Sequence, residues 1–376
     1  MNLEHALAAA EPELTPLAVV DEERMEANLA AMARIAASAA VKLRPHAKTH
    51  KSRYVAGRQL EHGAIGLTCA TLREAEVFAD AGVEDLLIAH PPVGEPKRRR
   101  LAELAGRVRR LAVSIDQVEL ADGLPDGVEV LWEVDSGMHR MGTAPGVASA
   151  DAVLELVGRV GPARVRGLLT HGGHAYKAET QEARRRAADE EAQALLETAM
   201  LLRRRGFESR TLSVGSTPTA DSAGREKGIT ELRPGTYVYG DANQITLGSQ
   251  RLEDSALAVI ATVVSVHPDR VVVDAGSKSL SSDLRVTRME GLGIVLGHPS
   301  LRLERLSEEH GVLAGEGLDR LGIGRRLAIV PTHACTCVNL QSELLFFSAT
   351  GTRWRSVDAQ GWRAARNPAQ RDLLDA

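Results

Sequence analysis

The sequence is poor in cysteine, with three among 376 residues: Cys69, Cys335 and Cys337. A sparse, odd count argues against a disulfide framework and for reduced thiols in a cytoplasm. No apolar run is long enough to span a membrane. The opening stretch MNLEHALAAAEPELTP carries acids and no basic n-region, so it does not read as a signal peptide. Charge of one sign is also lacking. The 46 Lys and Arg residues are interspersed with 50 Asp and Glu, for a net charge of -4. A nucleic-acid partner would need a basic stripe, and there is none. Internal repeats and low-complexity segments are absent; ARRRAADEEAQ reads as a charged helix face.

What is present is ordinary globular composition, 44% hydrophobic and 26% charged, with length for a large core. The first two-thirds alternate short apolar runs with helical patterns. Strands are expected at 41–44, 65–69, 86–89, 111–115, 128–134, 165–170, 211–214 and 237–240. Helices are expected at 21–40, 72–81, 95–105, 147–160 and 180–205, the last as a long outer helix. Eight strands alternating with helices suit a parallel α/β architecture, and eight closes a (β/α)8 TIM-type barrel. A doubly wound open sheet is the alternative. After about residue 245 the texture changes to β-branched runs broken by turns, as in LAVIATVVSVH and RVVVDAGSK. The expected organisation is a barrel over 20–245 and a β-rich domain over 246–376, joined by residues 1–19.

Unusual clusters fall where the expected strands end, which is where a barrel of this kind carries its chemistry. RPHAKTHK (44–51) follows the first strand. There Lys48 would be partly desolvated among Arg44, His46, His50 and Lys51, which favours the free amine needed for Schiff-base chemistry. A solvated basic loop is the bland alternative. VGSTPT (214–219) and RPGTYVYGD (233–241) offer glycines, hydroxyls and turn N–H groups suited to a phosphate. DSGMHRMG (135–142) places Arg140 where it can meet a carboxylate or phenolate oxygen, or simply solvent. HGGHAY (171–176) sets Tyr176 near paired glycines, where it can face an aromatic cofactor; a flexible loop with incidental histidines reads as well. In PTHACTCVNL (331–340), His333, Cys335 and Cys337 alternate, so an extended chain puts all three on one face. Imidazole plus thiolate suits zinc, with a position left open for substrate. A buried cysteine pair is the alternative.

RPHAKTHK resembles the pyridoxal-lysine motif of the D-serine dehydratase and D-threonine aldolase group, relatives of alanine racemase. VDSGMHRMG, THGGHAY, VGSTPT, LRPGTYVYGD, DAGSKSLSSD, LSEEHGVL and PTHACTCVNL follow in the group's order. The resemblance implies a (β/α)8 barrel with a β-domain, and pyridoxal 5'-phosphate held by Lys48 as a Schiff base. It implies cofactor contacts at Arg140, Tyr176, Gly215, Ser216, Thr217, Gly235 and Thr236. It implies His333 and Cys335 as the metal pair and gives Cys337 no role. Cysteine at position 335 is similar to the dehydratases, whereas the aldolases typically carry aspartate. Thiolate also favours Zn2+ over harder ions such as Mn2+. The implied activity is dehydration of D-serine or a related D-3-hydroxy amino acid by a cytoplasmic homodimer. A D-threonine or 3-hydroxy-D-aspartate aldolase is the runner-up. A racemase or a non-catalytic pyridoxal-phosphate-binding protein comes third.

Overall fold

The structure is a computed structural model and describes residues 1–283 and 285–361. Residues 362–376, the end of the expected second domain, lie outside the described residues. Strand β1 (Leu17–Asp21) belongs to a second sheet, described below. The next eight strands form one parallel sheet. They are β2 (Lys42–Leu43), β3 (Leu67–Cys69), β4 (Asp85–Ile88), β5 (Arg110–Ile115), β6 (Val128–Glu133), β7 (Val165–Leu169), β8 (Thr211–Val214) and β9 (Glu231–Leu232). Their order is β2-β9-β8-β7-β6-β5-β4-β3. The two edges then meet. The Ile65 N–H donates to the Leu43 carbonyl at 2.9 Å, and the Thr68 N–H to the Pro45 carbonyl at 2.8 Å. Those bonds close the sheet into a barrel, so the open doubly wound alternative does not hold.

The helices between strands start where side chains cap them. Asp21 accepts from the Arg24 N–H and opens Glu22–Ser38. Thr71 opens Leu72–Asp80 and Thr180 opens Gln181–Arg204 in the same way. Each lies within two residues of the expected span. In the barrel, Arg53–Glu61 is a helix that the pattern does not predict, because its sequence RYVAGRQLE buries only Val55, Ala56 and Gln59.

The eighth strand is a correction. Residues 237–240 are not a strand; Thr236–Val238 form a 3-10 turn. The strand is Glu231–Leu232, which carries a buried charge and has no apolar run to betray it.

The reason for that charge lies inside the barrel. Alternate residues of each strand face opposite ways. One set, including Leu86, Ile88, Val113, Val130 and Trp132, belongs to the large apolar core. The other set supplies only one small apolar cluster: Leu87, Ala112, Leu131 and Leu169. Around it the buried side chains are polar. Arg44, 1% exposed, pairs with Asp85 at 2.7 Å and with Glu231 at 2.9 Å. Glu231 also accepts from the Ser213 hydroxyl at 2.6 Å. Burial alone would raise the Glu231 carboxyl, but Arg44 beside it holds it below the usual carboxylate range. Gly66 gives this pair room: a Cβ there would stand 2.1 Å from the Asp85 carbonyl and 2.9 Å from Arg44 Nη1.

The second domain is a nine-stranded sheet. After β1 it takes in β10 (Leu257–Val266), β11 (Val271–Val273), β12 (Gly293–Val295), β13 (Leu301–Leu306), β14 (Gly311–Gly315), β15 (Arg326–Pro331), β16 (Glu343–Ser348) and β17 (Gly351–Ser356). The order is β11-β14-β13-β12-β15-β10-β1-β16-β17, with β11 also pairing β10. Only β1 and β16 run parallel. The helix Leu3–Ala10 lays Ala6 and Ala10 on Val19, Ile260 and Val330, so the first residues pack with this sheet and not with the barrel. No helix among the described residues is long and apolar enough to cross a membrane.

Removing one partner of a buried ion pair leaves the others uncompensated. Arg44→Ala strands Asp85 and Glu231 and is expected to cost about 3–5 kcal/mol. The denaturant midpoint measures it; an unchanged midpoint would mean that the barrel interior does not depend on this pair.

Candidate active site

A cavity of about 390 Å³ opens where the barrel strands end. Lys48 lines it, on the 3-10 turn Ala47–Thr49 just beyond β2. Its backbone N–H leans on His46 Nδ1 at 3.5 Å. The cations expected around Lys48 are mostly elsewhere. Arg44 is locked in the barrel interior, as above. His50 is buried and bonds to Gln59 at 3.2 Å. The Lys51 ammonium donates to Asn339 Oδ1 at 2.6 Å and faces Glu74 at 3.5 Å. Arginine and lysine in a motif find acid partners once the chain folds, and spacing alone does not show which.

The remaining expected cofactor residues all line the same cavity: Arg140, Tyr176, Gly215, Ser216, Thr217, Gly235 and Thr236. Their backbones divide into two sets. The Gly215 N–H donates to Glu191 at 2.8 Å and the Ser216 N–H to the Thr219 hydroxyl at 3.1 Å, so both are already used. Among the described residues, the N–H groups of Thr217, Gly235 and Thr236 have no protein acceptor. All three residues are buried. Buried N–H groups rarely go unpaired, and several converging on one cavity suit an anion such as a phosphate. The loops meet closely at Gly235, where a Cβ would lie 3.0 Å from Thr49 Oγ1 and 3.1 Å from the His46 carbonyl.

Tyr176 sits on the 3-10 turn Gly173–Lys177, and its hydroxyl accepts from Gln244 Nε2 at 2.9 Å. Arg140 stands at the mouth, half exposed, 3.9 Å from Glu133. Other cavity residues were not assigned from the sequence. His46 and His171 are kept neutral: burial, then the charge of Lys48, pushes both well below the ordinary histidine range. Arg233 is buried and donates to Ser213 Oγ at 2.5 Å and to the Thr170 carbonyl. The quoted motifs contain all three, but motif membership does not tell a wall residue from a reactive one. His90 and Glu133 also line the wall, and no motif signal marked them.

His333 and Cys335 come together beside this cavity, while Cys337 does not join them. Residues Ala334–Asn339 are helical, not extended, and His333 is the residue before the first turn. A helix sends residues two apart to different faces, which overturns the expected single face. Cys337 turns inward and its thiol donates to the Ser279 carbonyl at 3.2 Å; burial pushes it up to about 12. Cys335 Sγ shares a hydrogen bond with Thr49 Oγ1 at 3.1 Å and stands 3.8 Å from Thr236 Oγ1. The His333–Cys335 pair therefore abuts both the lysine turn and the loop of Gly235 and Thr236. Burial disfavours the Cys335 thiolate, but the charge of His333 outweighs it and brings the thiol to about 7. His333 Nδ1 bonds to Asp283 Oδ2 at 2.5 Å. A carboxylate on one ring nitrogen fixes the imidazole and presents the other to a metal. No group of three or more His, Cys, Asp or Glu side chains suited to a metal occurs among the described residues. The donor set is thus one imidazole and one thiolate, which fits zinc with its other positions open.

In metal-free protein, alkylation of Cys335 by iodoacetamide should rise as pH passes about 7, with Cys337 unlabelled throughout. Peptide mapping across pH checks this; labelling of Cys337 first would contradict the helical placement.

Comparison with known proteins shows the family. Residues 20–243 match the family described as alanine racemase, N-terminal domain, and residues 256–347 match the putative serine dehydratase domain. The chain is 36% identical to the D-threo-3-hydroxyaspartate dehydratase of Delftia sp. (strain HT23), covering 85% of this chain and 90% of that protein. It is 30% identical to the D-serine dehydratase of Dictyostelium discoideum, over 88% and 92% of the two chains. It is 33% identical to the D-threonine aldolase of Arthrobacter sp, over 88% of each. The solved Delftia enzyme superposes with a TM-score of 0.84 at 35% identity, over 93% of this chain and 98% of that one. Its solved variants include one with a histidine and one with a cysteine replaced by alanine, two positions apart in that protein, the cysteine variant being in a metal-free form. The chain therefore belongs to the alanine-racemase-like pyridoxal-phosphate enzymes, in the lyase family of the D-serine dehydratases and D-threonine aldolases.

Proposed function

We propose that this chain is a zinc-dependent dehydratase of D-serine or a related D-3-hydroxy amino acid, yielding a 2-oxo acid and ammonia. The observation that carries it is the contact of Cys335 with Thr49, one residue from Lys48, which sets a metal pair against the lysine turn. The named relatives support the substrate class, since each name denotes a D-amino acid with a hydroxyl on Cβ.

Lys48 would hold the cofactor, with the unpaired N–H groups of Thr217, Gly235 and Thr236 at its phosphate and Arg140 near its ring oxygen. His333 and Cys335 would hold the metal, with Asp283 fixing the imidazole. Bound there, pyridoxal phosphate supplies an electron sink for a carbanion at Cα and zinc a Lewis acid for the β-hydroxyl. The rest falls to the chain. The Lys48 amine takes the proton from Cα. His46 and His171, held neutral, do not add to the positive charge around it. The buried threonine hydroxyls of residues 49 and 236 flank the thiolate, the first at hydrogen-bond distance. Loss of the Cα proton and of hydroxide from Cβ releases an enamine. Its tautomer takes up one water and gives the 2-oxo acid and ammonia. A retro-aldol reaction would instead require a base at the hydroxyl proton, so the placement of the base decides between the two reactions.

Product analysis tests this on protein loaded with pyridoxal phosphate. With D-serine, a 2-oxo acid and ammonia should form in equal amounts, vanish with chelator and return with zinc. Glycine and an aldehyde from D-threonine, with no 2-oxo acid from either substrate, would establish the aldolase reading. Lys48→Ala should abolish the cofactor's visible absorbance and lower turnover by at least about 10²-fold, as expected for loss of a positioned base.

A further inference from the structure

Glu191 sits midway along the long helix Gln181–Arg204, in a stretch whose sequence reads as a charged outer surface. Its side chain points the other way and is 0% exposed. No ion pair holds it among the described residues. Its helix neighbours Ala187, Ala188, Ala192 and Leu195 are buried and apolar, so an aliphatic side chain would pack there at less cost than a carboxylate.

What the carboxylate does is gather donors from two loops. Oε1 accepts the N–H of Gly172 and the N–H of Gly215, both at 2.8 Å. Oε2 accepts the Thr219 hydroxyl at 2.6 Å. The Thr219 oxygen in turn accepts the Ser216 N–H at 3.1 Å. Gly172 belongs to the loop that carries Tyr176; Gly215 to Thr219 form the loop that carries Thr217. Both glycines are required. A Cβ on Gly172 would stand 2.4 Å from Oε2, and Gly215 holds a φ of +119°. With the N–H groups of Gly215 and Ser216 turned inward to this clamp, the next one, on Thr217, is left without a protein acceptor at the cavity.

We propose that Glu191 is a positioning residue for the cofactor's phosphate. It never touches the anion; it shapes the loop that does. The inference rests on the reading of the cavity as a pyridoxal-phosphate site. It predicts a selective effect, because Glu191 bears on the Thr217 loop and not on Lys48 or the metal pair.

The test compares the affinity of the apoenzyme for pyridoxal 5'-phosphate and for pyridoxal, followed by absorbance. The wild-type protein should prefer the phosphorylated form. Glu191→Ala should weaken pyridoxal phosphate by roughly tenfold, the equivalent of one hydrogen bond to a charged group, and leave pyridoxal within about twofold. Glu191→Gln keeps one carbonyl acceptor for the glycine N–H groups and should restore most of the preference. Zinc affinity should not move in either variant. Thr219→Val, which removes the bond to Oε2 and the acceptor of the Ser216 N–H but leaves both glycine N–H groups on Oε1, should shift the ratio the same way by less, and it carries the test if Glu191→Ala does not fold. Affinities that fall together, or a preference that survives in all three variants, would overturn the role given to Glu191. A wild-type protein that binds neither compound would instead overturn the cofactor reading itself.

Discussion

The site depends on the lysine turn after β2 meeting the helix that carries Cys335. These segments are nearly three hundred residues apart in sequence and belong to different domains. Two polar contacts join them directly, and two more each hold one of them to its surroundings. Thr49 bonds to Cys335 at 3.1 Å, the Lys51 ammonium to Asn339 at 2.6 Å, and the Ala359 N–H to the Lys51 carbonyl at 2.9 Å. From below, the buried Asp241 carboxylate accepts the Ala334 N–H at 3.0 Å and faces His333. Each bond is modest alone, since a net hydrogen bond contributes about 1 kcal/mol. Together they fix where a metal would stand relative to an amine. In the proposed reading, neither the lysine turn nor the His333–Cys335 pair makes a complete site alone.

The barrel interior serves the same end. Barrels of this kind usually fill with branched aliphatic layers. Here one small apolar cluster is accompanied by Arg44, Asp85, Glu231, Ser213 and Arg233 in a connected polar set. Such a set is costly to bury, and it gives directional constraint in return. Arg44 and Arg233 extend from the segments that lead into the Lys48 turn and the Gly235 loop. The network thereby ties β2 to its neighbour β9 and, through Asp85, across the barrel to β4.

Much of this was legible from residue patterns. Seven of the eight barrel strands and five helices show plain hydrophobic periodicity, because their outward faces pack against apolar partners. The eighth strand failed for the opposite reason: Glu231 and Arg233 face inward into the polar network, and a charged strand does not look like one. Most of the polar cavity residues could be found through motifs, though not His90 and Glu133, and the structure brings them to one cavity. Their division of labour could not. Gly215 and Ser216 look like phosphate donors until Glu191 and Thr219 are seen to take their N–H groups. Alternation of His333, Cys335 and Cys337 suggested a strand, yet the segment is helical, so one thiol of the pair joins the site and the other is buried. Glu191 was invisible because a glutamate among arginines on a long helix is ordinary; only its burial distinguishes it.

The most direct test of the account is the metal's own coordination. Zinc X-ray absorption on the loaded protein should show one sulfur and one imidazole nitrogen, with oxygen filling the remainder. Cys335→Ala should remove the sulfur signal, and Cys337→Ala should leave it intact. Two sulfur ligands, or a sulfur signal that survives in Cys335→Ala, would contradict the assembly of the site from the lysine turn and the His333–Cys335 pair.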